Sequence, residues 1–356
     1  MLEAGLLNVP IQPFRLNRED MTMKMLGLSQ KLPYPGKRAL REQVAAKDAE
    51  TLGYGLRETR NRIVREVKIA YFDLALTDAT VRLLKNNRQI LEQFLRIAES
   101  RYAVGQAAQA EVLKAQSQLG RMSEELLRME RERPVTEAEL ARLLGRGAST
   151  TPIAVELPGL RETAFDLEAL QQTALRERPK LLGLQSAIDR SDKALELARK
   201  EKQPDFDLRF SYGQRDRDPA GMPRNDLLSF TVAMNLPVWR ADKIEPRIAE
   251  AQAMREQAQD LQQAQQNEVL AKLRQQVATA EQSRKSVQLY ESAILPQARL
   301  AVEATLAAYK VSRVDLLMLL DSQMTLFGDE ISRARELVNF NKALAEIDLL
   351  AGKQVF

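Results

Sequence analysis

Several stretches of the chain alternate apolar and polar side chains with the period of two that is typical of β-strands. The clearest pair, residues 205–212 and 228–236, is joined by a charged segment with proline and glycine, which indicates an exposed loop. A strand of the same kind lies within residues 21–32, after a shorter one near the start of the chain. The pattern therefore predicts two β-hairpins, at residues 6–33 and 205–237.

Much longer stretches carry the period of an amphipathic helix. Residues 38–102 and 245–309 are predicted to be helices of roughly 65 residues, which at about 1.5 Å per residue would be about 100 Å long. Pro296 is expected to kink the second of them. Such helices need partners along their whole length, because most helical stability in proteins comes from packing.

The chain also matches itself at a shift of a little over 200 residues. Residues 28–33 lie opposite residues 232–237, and the motif that begins at Tyr102 lies opposite the one that begins at Tyr309. The first repeat is predicted to cover residues 1–203, with a hairpin at 6–33, long helices at 38–145, a linker or equatorial segment at 146–165, and helices at 166–203 that lead into the second repeat. The second repeat, 204–356, is predicted to contain a hairpin at 205–237, long helices at 244–350 and a C-terminal equatorial tail.

Composition narrows the function further. The chain has no cysteine and no histidine, which excludes thiolate metal sites, a nucleophilic cysteine and the commonest general base. Its 53 basic and 49 acidic residues interleave along the predicted helices, which argues against a nucleic-acid partner. No run of 18 apolar residues occurs, so any membrane span is expected to consist of strands. We therefore predict a non-enzymatic protein without a cofactor.

The four predicted strands have the length and two-sided pattern of membrane-spanning strands, with an apolar face toward lipid and a polar face toward a lumen. Four strands do not close a barrel, and open sheet edges are not tolerated in hydrocarbon because their backbone groups would be unpaired. Two chains would supply eight strands, which make a barrel filled by its own side chains, whereas three would supply twelve and enclose a pore. The strand count favours a homotrimer.

Three motifs carry a resemblance to a known family. They are GLSQKLPYPGKR at residues 27–38, RYAVG at 101–105 followed by EVLKAQ at 111–116, and a helix beginning at Arg178-Pro179 that leads into QPDF at 203–206. On these motifs, nearly the whole chain resembles the TolC-like outer-membrane factors, the outer membrane efflux protein family, and within it the heavy-metal efflux branch.

The resemblance implies a mostly α fold with a pair of membrane β-hairpins: a TolC-like homotrimer with a 12-stranded β-barrel in outer-membrane lipid, a long α-helical barrel in the periplasm and an equatorial belt. It further implies passive conduction of a substrate, predicted to be heavy-metal cations, to the exterior. The substrate would be delivered by an inner-membrane RND-type pump through a periplasmic adaptor, or membrane fusion protein. A multidrug efflux or type I secretion duct is the alternative. A soluble coiled-coil adaptor or scaffold is an alternative of another class, but it would not need two-sided strands.

By the same resemblance, the turns within residues 101–116 and 309–323 form the periplasmic end, where the adaptor docks and the channel closes. The predicted docking residues are Arg101, Tyr102, Gly105, Gln106, Val112, Leu113, Tyr309, Ser312 and Arg313. Packing within each helical pair is the alternative role for these side chains. The predicted periplasmic gate consists of Asp321, repeated around a three-fold axis, with Arg313 and Asp315 paired between protomers. Solvated charges at a helix end are the alternative here.

Met21, Met23 and Met25 are predicted to share one face of a strand, and alignment with the second hairpin puts this face toward the lumen. Thioethers suit Cu(I) and Ag(I), so we predict transient metal contacts at these residues, with space filling as the alternative.

The chain departs from the family pattern in two ways. The family's signal peptide and leading helix are not found ahead of the first strand, so we expect a truncated chain or an incomplete gene model. At the turns, Ser312 stands where the family usually has glycine, and Gln106 replaces a common leucine.

Overall fold

The computed structural model describes residues 1–12, 14–147 and 152–356. The strands are β1 (Leu2–Leu7), β2 (Met23–Leu32), β3 (Phe206–Gln214) and β4 (Leu227–Met234). The helices are α1 (Lys37–Ala103), α2 (Gln109–Leu143), α3 (Leu167–Glu177), α4 (Pro179–Lys200), α5 (Glu245–Leu289), α6 (Leu295–Lys310) and α7 (Leu316–Ala351). Pro13 of the first predicted hairpin and residues 148–151 of the predicted 146–165 linker lie outside the described residues.

The chain divides into two compact units, each built from both repeats. The sheet unit comprises residues 1–53 and 183–263, and the helical unit comprises residues 54–182 and 264–356. The division does not follow the repeat boundary, because strands from the two repeats pair with each other in the sheet unit.

The four strands form one antiparallel sheet in the order β1-β2-β3-β4. The central pairing, β2 with β3, joins the two repeats and runs from Lys24 opposite Gln214 to Leu32 opposite Phe206. Directly paired residues of an antiparallel sheet share a face, so this register decides whether the alternating patterns of the two hairpins match.

The register places most of the apolar side chains of the four strands on the same face, where Lys24, Gln30 and Gln214 are the polar exceptions. Leu28 pairs with Phe210, which in turn pairs with Phe230. The exposed large apolar side chains of this face are Leu2, Leu6, Leu26, Leu28, Leu32, Phe206, Phe210, Tyr212, Leu228, Phe230, Val232 and Met234. The opposite face carries the polar and small residues Glu3, Gly27, Ser29, Lys31, Asp207, Arg209, Ser211, Ser229 and Thr231, together with the apolar residues Leu7, Met23, Met25 and Leu227. An exposed apolar patch of this extent marks a surface that contacts a membrane or another protein.

An ion pair between a buried lysine and a partly exposed aspartate fixes the junction between the sheet and α1. Lys37, at the start of α1, is buried, and its Nζ donates to the Asp205 carboxylate at 2.7 Å and to the Gln203 carbonyl at 2.8 Å. The same carboxylate accepts the Tyr34 N–H at 2.8 Å. Removing one member of such a pair would leave a buried charge uncompensated, so the junction is held firmly.

In the helical unit, apolar side chains of α1, α2, α6 and α7 share one core. Its buried members are Leu84, Leu91, Phe94, Ala98, Ala115, Met122, Leu126, Tyr309, Leu316, Leu319, Leu320 and Phe327. A polar contact lies within this core, where Gln323 Nε2 donates to Asn87 Oδ1 at 2.7 Å. Both side-chain amides are buried, and the hydrogen bond between them offsets the free-energy cost of burying two polar groups.

The end of α7 packs closely against the start of α4. Gly352 has a φ of +81°, and a Cβ at this position would lie 2.6 Å from the Cα of Arg178. Only glycine satisfies both conditions. Just before it, the Asp348 carboxylate accepts from Lys68 Nζ at 2.7 Å and from the N–H of Val355 at 2.8 Å, which holds the C-terminal segment against α7.

The helix that precedes the second turn changes type ahead of Pro296. A π-helical segment, Tyr290–Ile294, separates α5 from α6, and a second one, Arg240–Ile244, precedes α5. Proline has no N–H to donate to the carbonyl four residues earlier, and π-helical turns are a known response to an interrupted hydrogen-bond ladder. Within residues 1–12, 14–147 and 152–356, no helix combines the length and apolar character that crossing a membrane requires.

Candidate functional site

The two turns between long helices have the same backbone geometry. Gly105 and Ser312 occupy the left-handed region, with φ of +73° and +57°. In the first turn the N–H of Gly105 donates to the Tyr102 carbonyl at 2.9 Å, and in the second the N–H of Ser312 donates to the Tyr309 carbonyl at 3.0 Å. The duplication detected in the sequence therefore extends to individual hydrogen bonds of the turns.

A serine in the left-handed region is strained, because its Cβ approaches the following carbonyl. Ser312 stands where the first turn has Gly105, and its hydroxyl accepts a hydrogen bond from Nη2 of Arg101. This bond offsets part of the strain and links the second turn to the end of α1.

The helices that follow the two turns begin differently. The Asp315 carboxylate accepts the N–H of Met318 at 3.0 Å and so caps α7. Its counterpart before α2 is Ala108, which has no side chain able to cap. Because a carboxylate at this position satisfies a free N–H and interacts favourably with the helix dipole, Asp315 has a structural role within the protomer.

Arg101 is the centre of the contact between the two turns. Its guanidinium lies 4.5 Å from the centre of the Tyr309 ring and also donates to the Tyr309 carbonyl and to the Gln106 carbonyl, the latter at 3.3 Å. A cation over an aromatic face adds to the hydrogen bonds, since the ring carries negative charge density on its faces. Arg101 thus closes its own turn and holds the second turn beside it.

Tyr309 completes this contact from the other side. It is 1% exposed, and its hydroxyl donates to the Glu111 carboxylate of α2 at 3.0 Å. Burial and the hydrogen bond to Glu111 raise the pKa of Tyr309 to about 12. The phenol therefore remains a protonated donor throughout the physiological range. We call Arg101, Glu111, Tyr309 and Ser312 the turn clasp.

The clasp is not repeated symmetrically. Tyr102, the counterpart of Tyr309, is 47% exposed, and Ala308 occupies the position that corresponds to Arg101. The first turn therefore presents an uncovered tyrosine while the second buries its own. The other exposed apolar side chains beside the turns are Val104, Leu113, Val311, Leu317 and Met318.

The predicted docking residues separate into two groups. Tyr102, Gly105, Gln106, Leu113, Ser312 and Arg313 are exposed. Tyr309 is buried and Arg101 and Val112 are partly buried, so these three pack inside the pair of turns. Only the exposed group is placed to contact a partner directly.

The three predicted gate residues do not contact one another in the protomer. Asp315 caps α7, whereas Arg313 and Asp321 are exposed, and neither forms an ion pair with another described residue. Asp321 lies on α7 about one and a half helical turns after Leu316 and is exposed. The hypothesis of pairing between protomers stays a prediction.

The predicted methionine face differs from expectation at one position. Met21 lies in a turn before β2 and is 53% exposed, because the strand begins only at Met23. Met23 is buried, with its sulfur above Gly213 on the neighbouring strand, where a Cβ would collide with it. Met23 therefore fills space over a glycine, and only Met25 of the three is a half-buried strand residue. Among the described residues no cluster of three or more carboxylates is placed to hold a metal ion.

A model of the outer membrane efflux protein family matches residues 16–146 and 170–353, which include both turns and strands β2 to β4. The chain belongs to this family. The match confirms the predicted location in the bacterial outer membrane and the prediction that the protein is a channel component and not an enzyme.

Solved structures agree with this assignment. The outer membrane protein VceC of Vibrio cholerae superposes with a TM-score of 0.81 at 18% identity, over 99% of this chain and 86% of VceC. CusC superposes with a TM-score of 0.82 at 14% identity, over 99% of this chain and 82% of CusC. These likenesses confirm the predicted fold class, a TolC-like channel subunit.

One curated relative has a stated role. The chain is 23% identical over 326 residues to the cobalt-zinc-cadmium resistance protein CzcC of Cupriavidus metallidurans, covering 89% of this chain and 74% of CzcC. The chain is thus similar to a protein named for heavy-metal resistance.

Sequence reasoning missed Glu111 and the inward position of Tyr309. The contact joins residues 198 positions apart in the chain. The one usable signal was a difference between the repeats. The counterpart of Arg101 in the second turn is Ala308, so only one of the two equivalent tyrosines can lie under an arginine.

Proposed function

We propose that this chain is one protomer of a homotrimeric outer-membrane channel that passively conducts heavy-metal cations out of the periplasm, together with a periplasmic adaptor and an inner-membrane RND-type pump. The observation that carries the proposal is the exposed apolar face of the four-stranded sheet. It lies on the same sheet that is connected directly to the long helices.

The apolar face has the chemistry of a lipid contact. Its side chains come from all four strands, while serine, threonine and most of the charged strand residues lie on the other face. Burying a face of this kind in hydrocarbon is favourable at roughly 25 cal/mol per Å². The polar face would then line an aqueous passage.

The trimer is supported by the sheet edges. Among the described strands of the protomer, β1 and β4 each pair on one side only. Unpaired backbone groups are not tolerated in hydrocarbon, so β4 of one copy would pair with β1 of the next. Three copies of a four-stranded sheet supply twelve strands, enough to enclose a lumen.

The turns are proposed as the periplasmic end. The exposed residues Tyr102, Val104 and Leu113 of the first turn, with Val311 and Met318 of the second, form an apolar surface suited to helices of an adaptor. Asp321, free of ion pairs within the described part of the protomer, would form a ring of three carboxylates that favours cations.

The substrate assignment rests on the similarity to CzcC. The direct test is deletion of the gene, followed by growth in cobalt, zinc, cadmium, copper and silver and, separately, in dyes and detergents. We expect sensitivity to one or more of the metals, restored by the wild-type gene. Sensitivity to dyes and detergents alone would refute the metal assignment and favour the multidrug alternative.

The assembly has a separate test. The mass of the purified protein in detergent, corrected for bound detergent, is expected to equal three chains. A monomer that stays soluble without detergent would contradict the channel and favour a soluble scaffold.

The gate has a third test, in planar bilayers. Asp321→Asn is expected to lower the preference for cations over anions, because it removes three charges from one ring. Asp242→Asn, which removes the same charge from the segment before α5, serves as the matched control. Equal selectivity in the two variants would exclude Asp321 from the passage.

A further inference from the structure

A cavity of about 260 Å³ lies in the sheet unit, where the strands meet the helices. It is lined by the first two turns of α1, the segment between α4 and β3, and the segment that leads from β4 into the first turn of α5. Its charged lining consists of Lys37, Arg41, Lys243 and Arg247 against Glu201 and Asp205, that is, four cations and two carboxylates. The lining therefore carries a net charge of +2 (4 minus 2).

The two carboxylates are already engaged. Asp205 accepts from Lys37 at 2.7 Å, and Glu201 pairs with Arg247 at 2.9 Å. Arg41 and Lys243 form no ion pair with any described residue, although Arg41 is close enough to Asp205 to favour its charged form. The cavity thus holds two cations that have no ion-pair partner among the described residues.

The rim of the cavity is apolar and exposed. Leu236, Val238 and Trp239 follow the last residue of β4 and are all exposed, with Trp239 69% exposed. Trp239 is the single tryptophan of the chain. Tryptophan concentrates at the boundary between hydrocarbon and headgroups, where its apolar ring and its N–H are both accommodated.

We infer that this cavity binds the phosphate of an anionic phospholipid, with Arg41 and Lys243 as the phosphate ligands and Trp239 beside the upper acyl chain. The inference rests on the proposed function, which puts the apolar sheet face in the membrane and therefore the cavity at the level of the headgroups. Arginine donates to phosphate through a planar fork and lysine acts as a point charge, so the pair suits a monoanionic phosphodiester. Basic pockets of this kind at the membrane boundary recognise lipid headgroups.

The single tryptophan provides the assay. The full chain in detergent is titrated with phosphatidylglycerol brominated on its acyl chains and, separately, with equally brominated phosphatidylcholine, while Trp239 fluorescence is recorded. Bromine quenches only a tryptophan that it contacts. We expect quenching at about tenfold lower concentration of phosphatidylglycerol, because two uncompensated cations favour the lipid with net negative charge.

Substitutions assign the preference to the cavity. Arg41→Gln with Lys243→Gln is expected to abolish it, and the exchange Arg41→Lys with Lys243→Arg, which keeps both charges, is expected to retain it. Arg38→Gln with Lys285→Gln removes the same charge from exposed positions outside the cavity and should leave the preference unchanged. An equal loss of the lipid preference in this control pair would mean that net charge alone causes the effect, and it would overturn the inference. Displacement of the lipid by millimolar inorganic phosphate would also overturn it.

A second probe separates this inference from the proposed function. In a Phe230→Trp, Trp239→Phe variant the only tryptophan lies on the apolar sheet face. Quenching of this probe by both lipids, with no lipid preference at Trp239, would overturn the phosphate site but keep the membrane-embedded sheet. Absence of quenching at both positions would overturn both.

Discussion

Tyr309→Phe tests whether the turn clasp holds the two turns together. The substitution removes one hydroxyl and keeps the ring beneath the Arg101 guanidinium, 4.5 Å from its centre. What is lost is the hydrogen bond to the Glu111 carboxylate at 3.0 Å. Because the phenylalanine ring fits the same buried space, the core around it remains packed.

The expected magnitude follows from the surroundings of the two atoms. A hydrogen bond to a charged group contributes roughly 1.5–3 kcal/mol. Glu111 is only partly buried, so water replaces some of the lost donor, and we expect the closed turns to lose about 1–2 kcal/mol. That corresponds to a roughly 5- to 30-fold larger population of turns that have separated.

Hydrogen exchange measured by mass spectrometry on the detergent-solubilised protein reports this population. Amides of residues 306–318 should exchange faster in Tyr309→Phe by the same factor, whereas amides in the middle of α1 should not change. Tyr102→Phe is the matched control, because Tyr102 occupies the equivalent position in the first turn and is exposed. If both variants exchange alike, or if neither differs from the wild type, the clasp does not hold the turns.

Three further predictions concern single positions. The pKa of Tyr309 is raised to about 12 from an ordinary value of 10.0, so the stabilising contribution of its hydroxyl is complete below pH 10 and is lost as the pH rises toward 12. Absorbance titration should show one of the seven tyrosines ionising last, and Tyr309→Phe should remove that step. Ser312→Gly relieves a positive φ but loses a hydrogen bond, whereas Ser312→Ala only loses the bond, so thermal unfolding should find the glycine variant about 1 kcal/mol more stable than the alanine variant. Gly352→Ala should lower the free energy of unfolding by at least about 2 kcal/mol more than Gly145→Ala does in the same assay. Both glycines have a positive φ, but of the two only Gly352 lies against the backbone of Arg178.

Local sequence was sufficient to predict the elements. Alternation over a few residues identified β3 and β4, and the helical period identified the long helices, because both signals depend only on near neighbours. The turn at Gly105 was recognisable for the same reason, since a glycine between two helical stretches permits the left-handed conformation.

The candidate site was predictable only in part. The sequence located both turns, but assigned Tyr309 to their surface. Arg101 reaches the carbonyl of Tyr309 across 208 positions, and no periodic pattern reports such a contact. The start of β2 at Met23 was missed because the preceding Met21 continues the alternation, although the chain there is still in a turn.

By itself, the sequence determined that this protein consists of duplicated hairpins and long helices with an apolar side to each strand, and that it belongs to a family of outer-membrane channels. Only the tertiary structure decided that β2 pairs with β3 in a register that unites the four apolar sides, and that one of two equivalent tyrosines is buried. The physical reason is the same in both cases. Pairing and burial depend on groups that are far apart in the chain, and their energies appear only when the fold brings those groups into contact.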